Sequence, residues 1–130
     1  LEAAQKIYDD RMKSWNLYFE LLSDLEKQGK IELPCIPEGC THNAHMFYIK
    51  TKNFDERTKM LSYLKDNGIN AVFHYIPLHS APAGKKYGEF RGEDKYTTNE
   101  SERLVRLPMY YGLKESEIVY ISEKVHEFWK

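Results

Sequence analysis

The sequence predicts an α+β domain in which a small, mostly antiparallel sheet is covered by helices. Three observations lead to this fold class. Apolar residues recur at helical spacing near both ends of the chain, two β-favouring segments lie between turn-forming residues, and helical and extended segments alternate along the chain. The 130 residues, 42% hydrophobic and 30% charged, suit one domain with a single modest core.

The first predicted helix begins at the start of the chain and ends near Gly29. Tyr18 widens an apolar stripe whose members are three or four positions apart: Leu1, Ala4, Tyr8, Met12, Trp15, Phe19, Leu22 and Leu25. The rest of the chain is too short to cover the whole apolar face of this helix. We therefore expect the first turns of the helix to pack on a neighbour outside this chain. We interpret residues 1–29 as a linking helix and 42–130 as the α+β body of one small domain.

Residues 44–50 predict the first strand. Both of its faces carry apolar side chains, which favours an internal position in the sheet. Asn53 followed by Glu56 predicts the capped start of a second helix. This helix ends at Gly68, since glycine readily adopts the left-handed conformation that closes a helix.

Residues 69–76 are rich in Ile, Val, Phe and Tyr and predict a second strand. Pro77 ends it, because proline has no amide hydrogen for the strand ladder. Residues 80–97 then predict a polar loop with one short helical turn. A loop of this length inside a small domain is typically functional or mobile.

The C-terminal part predicts a short helix, a brief strand and a final helix. Thr97 with Glu100 indicates a second capping box, opening a helix that continues through Leu104. Residues 107–109 predict a third strand. The last helix is marked by apolar residues at helical spacing: Ile118, Ile121, Val125 and Phe128.

Composition excludes several classes of function. Nineteen basic and twenty acidic residues leave a net charge of -1, which argues against binding nucleic acid through phosphate neutralisation. No apolar run approaches the roughly 20 residues that span a bilayer, and no leader pattern indicates secretion. Cys35 and Cys40 are expected to be reduced thiols, as in a cytoplasmic protein.

A zinc-stabilised interaction domain is one alternative. Cys35, Cys40, His42 and His45 are residue types that ligate zinc, but they lack the separation between Cys and His pairs of a classical finger. A second alternative is a free-standing module that binds RNA or protein through aromatics on a small sheet. The near-neutral charge and the missing RNA-recognition signature count against RNA.

The segment Gly84-Lys85-Lys86 is a candidate phosphate contact, although it fits neither a Walker nor a dinucleotide motif. Catalytic residues are not indicated. A covalent lysine needs burial or a cationic neighbour to lower its pKa, and no lysine shows such a setting in the sequence.

The strongest candidate site lies at the end of the second strand, in the segment His-Tyr-Ile-Pro-Leu-His. Here His74, Tyr75 and His79 combine groups that both donate and accept hydrogen bonds around a proline turn. Such groups suit an oxygen-rich ligand such as a sugar or a diphosphate. A buried histidine in a capped turn is the alternative that the residues leave open.

Several stretches resemble the carboxy-terminal part of the DegT-type sugar-nucleotide aminotransferases: HNAHMFYIK (42–50), AVFHYIPLH (71–79), PAGKKYGEF (82–90) and GEDKYTTNESERLVRLP (92–108). The resemblance covers nearly the whole chain. Lys114, where relatives often have a hydroxyl cap, is a minor departure from it.

The resemblance implies the C-terminal domain of a fold-type-I enzyme that uses pyridoxal phosphate. The Schiff-base lysine and the large cofactor-binding domain would precede Leu1, so this chain alone is expected to be inactive. It also implies a homodimer that transfers an amino group, from glutamate, to the 4-oxo carbon of dTDP-4-oxo-6-deoxyglucose. His74 and Tyr75, with His79 third, would then bind the sugar nucleotide without abstracting a proton.

Overall fold

The computed structural model describes residues 2–130, so Leu1 of the predicted apolar stripe lies outside the described residues. Its elements are α1 (Ala4–Lys27), β1 (Phe47–Lys50), α2 (Phe54–Asp66), β2 (Val72–Phe73), α3 (Pro82–Tyr87), α4 (Thr97–Arg103), β3 (Leu104–Leu107) and α5 (Glu115–Glu127). The strands form an antiparallel sheet in the order β1-β3-β2. The predicted fold class, α+β with a small antiparallel sheet, is confirmed.

The hydrophobic core lies between one face of the sheet and helices α1, α2 and α5. Alternate residues of β1 and β3 point into it because side chains along a strand alternate between faces. The buried strand residues are Phe47, Ile49, Val105 and Leu107, and the helices add Tyr18, Leu22, Met60, Leu64, Ile118 and Val125. None of the helices within residues 2–130 combines the length and apolar character that crossing a bilayer requires.

The N-terminal turns of α1 take no part in this core. Residues 2–9 are all exposed, whereas the later part of the stripe buries Trp15, Tyr18, Leu22 and Leu25. The helix ends at Lys27, which confirms the predicted end near Gly29, and Gly29 adopts a left-handed φ of 68°. Packing of the first turns on a neighbour outside this chain stays a prediction.

The order of the strands differs from the sequence prediction. Strand β1 lies at the edge of the sheet, and within residues 2–130 its outer side is flanked only by an isolated bridge between Glu32 and Lys50, so the predicted internal position is wrong. The central strand is β3. It covers Leu104–Leu107 rather than 107–109, because Pro108 cannot continue the ladder.

Strand β2 is much shorter than the predicted strand at 69–76. Val72 pairs with Arg106 and Phe73 with Val105, so the next pair would join His74 to Leu104. Leu104 is the residue at which α4 gives way to β3, and the ladder therefore stops. Residues 74–79 leave the sheet as irregular chain.

One of the two predicted helix caps forms. The Asn53 carboxamide oxygen accepts the Glu56 amide at 2.9 Å, and the Glu56 carboxylate accepts the Lys52 amide at 2.7 Å. The capping box at Thr97 and Glu100 is wrong. Thr97 makes no capping hydrogen bond because a more distant side chain, described below, holds the start of α4, and Glu100 instead bonds the Lys50 ammonium at 2.7 Å.

Candidate functional site

His74 and Tyr75 lie together where the chain leaves β2. Their ring centroids are 4.9 Å apart, and the Tyr75 side chain is mostly exposed, at 72%. The Nδ1 atom of His74 is buried and has no hydrogen-bond partner among the described residues. An unpaired buried imidazole nitrogen is costly, so a polar group that reached this atom would relieve that cost.

Arg106 of β3 completes this cluster, and the sequence reasoning missed it. Its guanidinium carbon lies 5.5 Å from the centroid of the Tyr75 ring, and its Nη2 donates to the Phe73 carbonyl at 3.3 Å. Burial and the nearby Arg106 charge lower the pKa of His74. His74 is therefore neutral at pH 7, and Arg106 supplies the positive charge of the cluster.

A second arginine, Arg57 of α2, supports the same segment from the other side. It is 9% exposed, and its guanidinium carbon lies 4.6 Å from the Phe54 ring centroid and 5.3 Å from that of Phe73. Its Nε donates to the Glu102 carbonyl at 2.8 Å. Desolvation lowers the pKa of Arg57. Arg57 thus ties α2, β2 and α4 together beneath the cluster.

His79 occupies a separate position beyond the proline turn. Its Nε2 is 2.9 Å from Oδ2 of Asp94 and 3.4 Å from the Thr98 hydroxyl oxygen, and its ring centroid is 4.5 Å from that of Phe90. Asp94 also accepts hydrogen bonds from the Thr98 hydroxyl and amide, so it caps α4. The Thr98 hydrogen bonds and the adjacent His79 keep the pKa of Asp94 below its ordinary value.

His79 borders a cavity of about 710 Å³. That volume suits a small-molecule ligand. The other residues lining it come from the turn and from α3 and the segment after it: Leu78, Ala83, Gly84, Lys85, Tyr87, Gly88, Glu89 and Phe90. Tyr75 lines a smaller cavity of about 180 Å³ next to Arg57. The structure thus joins His74 with Tyr75 and places His79 in a neighbouring cavity.

Gly84 has a structural role that the sequence reasoning did not assign. A Cβ atom at this position would lie 1.6 Å from the Leu78 carbonyl oxygen, so only glycine allows α3 to approach the turn this closely. Lys85 borders the large cavity, whereas the Lys86 ammonium lies 4.9 Å from the centroid of the Tyr87 ring. A phosphate contact by this segment stays a prediction.

The four candidate zinc ligands do not come together. Cys35 and Cys40 are exposed free thiols. His42 packs on Trp15, with ring centroids 4.5 Å apart, and His45 is exposed. From residue 2 to residue 130, no three His, Cys, Asp or Glu side chains form a group suited to a metal ion. The geometry therefore gives the zinc alternative no support.

Lys50 is a candidate to test for covalent chemistry, because its side chain is only 22% exposed. Its ammonium is 2.8 Å from the Glu32 carboxylate and 2.7 Å from that of Glu100. Burial lowers the pKa of Lys50, but hydrogen bonds to Glu100 and Glu32 outweigh this effect and raise the pKa above its ordinary value. Lys50 is thus a charged structural residue and unsuited to nucleophilic attack.

Comparison with protein families identifies the chain. Residues 1–126 match the model of the DegT/DnrJ/EryC1/StrS aminotransferase family, and the chain therefore belongs to this family. It is similar to the dTDP-3-amino-3,4,6-trideoxy-alpha-D-glucose transaminase of Micromonospora megalomicea subsp. nigra, with 26% identity over 113 residues. That match covers 85% of this chain and 29% of the relative.

Solved structures share the fold. The aminotransferase TlmJ from Streptoalloteichus hindustanus superposes with a TM-score of 0.84 at 20% identity, covering 98% of this chain and 33% of that one. The ntda protein from Bacillus subtilis, solved with its bound cofactor PMP, superposes with a TM-score of 0.78 at 23% identity. That match covers 94% of this chain and 28% of the ntda chain. The chain thus spans about a third or less of the length of these relatives.

Proposed function

We propose that this chain is the C-terminal small domain of a pyridoxal-phosphate-dependent, homodimeric aminotransferase acting on a sugar nucleotide. Its reaction would be that of dTDP-4-amino-4,6-dideoxygalactose transaminase, which moves an amino group, from glutamate, to dTDP-4-oxo-6-deoxyglucose for surface-polysaccharide synthesis. The family match across residues 1–126 carries the proposal, and the dTDP-linked substrate is the one that the sequence resemblance implies. The exposed thiols Cys35 and Cys40 suit a cytoplasmic enzyme.

Two partly buried lysines, Lys50 and Lys124, bear on where the cofactor is held. Lys50 is committed to two carboxylates, and Lys124 has its pKa raised by a hydrogen bond to Glu127. Neither fits a Schiff-base lysine, which needs a lowered pKa. In keeping with what the family resemblance implies, we place that lysine, and the binding of pyridoxal phosphate, in a large domain outside this chain.

Within this proposal, the cluster of His74, Tyr75 and Arg106 forms one wall of the substrate site. Neutral His74 would bond a sugar hydroxyl through its unpaired Nδ1, and the Tyr75 phenol would donate to a phosphate oxygen beside the Arg106 charge. His79 would contact the same ligand from the neighbouring cavity. These residues bind and orient the substrate, and none of them abstracts a proton.

The test uses the protein encoded by the complete gene that contains this chain. With pyridoxal phosphate, glutamate and dTDP-4-oxo-6-deoxyglucose, we expect the 4-amino sugar nucleotide by mass spectrometry, and we expect no product from residues 1–130 alone. His74→Gln and Tyr75→Phe should raise KM for the sugar nucleotide by roughly tenfold or more with little change in kcat, because each removes one charge-assisted or buried hydrogen bond.

His45→Gln is the matched control. His45 is exposed, and its ring bonds only the neighbouring Asn43 at 2.9 Å, so the same substitution there should leave KM unchanged. The proposal is overturned if the complete protein does not transaminate any 4-oxo sugar nucleotide. The assignment of the wall alone is overturned if His74→Gln behaves like His45→Gln.

A further inference from the structure

The contact between His79 and Asp94 fixes which nitrogen of the imidazole carries hydrogen. Nε2 has two neighbours, the Asp94 carboxylate at 2.9 Å and the Thr98 hydroxyl oxygen at 3.4 Å. The Thr98 hydroxyl donates its own hydrogen to Asp94. Both groups can therefore only accept a hydrogen bond from Nε2, so a neutral ring must place its hydrogen there.

The opposite nitrogen, Nδ1, is the second hydrogen-bonding position of the ring. The contacts of the ring with Asp94 and Thr98 both use Nε2, and the His79 residue borders the cavity of about 710 Å³. With its hydrogen on Nε2, the neutral ring presents a lone pair at Nδ1. A lone pair accepts from a hydroxyl group and repels a phosphate oxygen, which has no hydrogen to donate.

We propose that Asp94 is a positioning residue that selects the tautomer of His79 with its hydrogen on Nε2, so that Nδ1 of the neutral form accepts a hydrogen bond from a hydroxyl group of the nucleotide sugar. The identity of the ligand rests on the proposed function, whereas the position of the hydrogen on the His79 ring does not. Two further contacts hold the ring in place, because Phe90 packs 4.5 Å from it and Asp94 is itself fixed by the Thr98 amide at 3.3 Å.

The ring state can be measured directly. In ¹⁵N NMR spectra of the protein, at a pH where His79 is neutral by its own titration, Nε2 should carry the hydrogen and Nδ1 should appear unprotonated. The Nε2 hydrogen should be visible because the carboxylate slows its exchange. The signals are assigned by their loss in His79→Gln. A wild-type ring protonated on Nδ1 would overturn the proposal without any test of activity.

Asp94→Asn is the decisive variant. Asparagine still caps α4, but its amide hydrogens can donate to Nε2, which moves the imidazole hydrogen to Nδ1 in part of the molecules. Loss of one acceptor for a substrate hydroxyl should raise KM for the sugar nucleotide roughly three- to tenfold with kcat nearly unchanged.

Glu93→Gln is the control for charge. Glu93 is exposed and pairs with Lys95 at 3.2 Å. Its substitution by Gln removes the same negative charge from the same segment as Asp94→Asn does, but at a residue that makes no described contact with His79. It should change neither the ring spectrum nor KM. The proposal fails if Asp94→Asn leaves both the spectrum and KM as in wild type. Absence of transamination in the wild-type enzyme would overturn the proposed function instead, and the ring spectrum would still decide the role of Asp94.

Discussion

The hydroxyl group of Tyr18 offers a sharp test of how α1 is attached to the sheet. Tyr18 is fully buried, its ring centroid is 5.0 Å from that of Phe47, and its hydroxyl donates to the Pro108 carbonyl at 3.0 Å. Tyr18→Phe keeps the ring and leaves that carbonyl without its partner. We expect a loss of about 1–2 kcal/mol in the free energy of unfolding, since a buried acceptor is stranded.

Tyr120→Phe is the matched control, because the Tyr120 hydroxyl also donates to a backbone carbonyl, that of Asn67 at 3.1 Å, but its side chain is 43% exposed. Water replaces the lost bond there, so we expect a change within about 0.5 kcal/mol. Urea unfolding followed by circular dichroism measures both, with unchanged m-values as the check on two-state behaviour. Equal losses in the two variants would refute the reasoning.

The Tyr18 hydroxyl also predicts how the stability of the folded protein changes at alkaline pH. Burial, followed by the nearby Tyr110 and Glu117, raises the pKa of Tyr18 far above its ordinary value of 10.0. The unfolded chain loses this proton at about pH 10 while the folded protein keeps it. The contribution of this hydroxyl to the free energy of unfolding is therefore fully present below about pH 10 and decreases as the pH rises above it. Tyr18→Phe should make the alkaline loss of stability shallower.

Two further predictions concern the loop and the ion pairs. Gly84→Ala would place a methyl group against the Leu78 carbonyl, so we expect hydrogen exchange in α3 to accelerate strongly while exchange in the core stays slow. Unchanged exchange in α3 would contradict the close approach. Hydrogen bonds from Lys50 lower the pKa values of Glu32 and Glu100; their stabilisation is present above about pH 4.5 and is lost as pH falls through the lowered values. Lys50→Met should make the acid loss of stability below about pH 4.5 shallower, and an unaltered acid profile would exclude this network as its cause.

Local signals predicted the helices well. The Asn53 cap, the glycine at position 68 and the spacing of apolar residues in α1 and α5 all act within a few residues, and the structure places these helix ends where the sequence does. The residue that caps the start of α4 was harder to predict. Its cap comes from Asp94, four residues before Thr98, and no short capping motif contains that pair.

Features that depend on distant contacts were not predictable in the same way. Nothing within Leu104–Leu107 reveals that this strand is central, because its neighbours come from residues 47–50 and 72–73. Arg57 and Arg106 also escaped notice, although each lies in an apolar pattern: Arg57 is three positions before buried Met60, and Arg106 stands between two buried strand residues. For Arg57 this position indicates a buried charge, whereas alternation along β3 places Arg106 on the face opposite the core.

The two edge strands of the sheet, β1 and β2, bear on how this molecule avoids self-association. Exposed backbone amides and carbonyls at a sheet border are templates on which other chains can add strands and aggregate. Here β2 offers only two residues before the chain turns away, and Lys50 in β1 is already bridged by Glu32. Lengthening β2, for example by extending the ladder past Phe73, would therefore carry a cost in solubility.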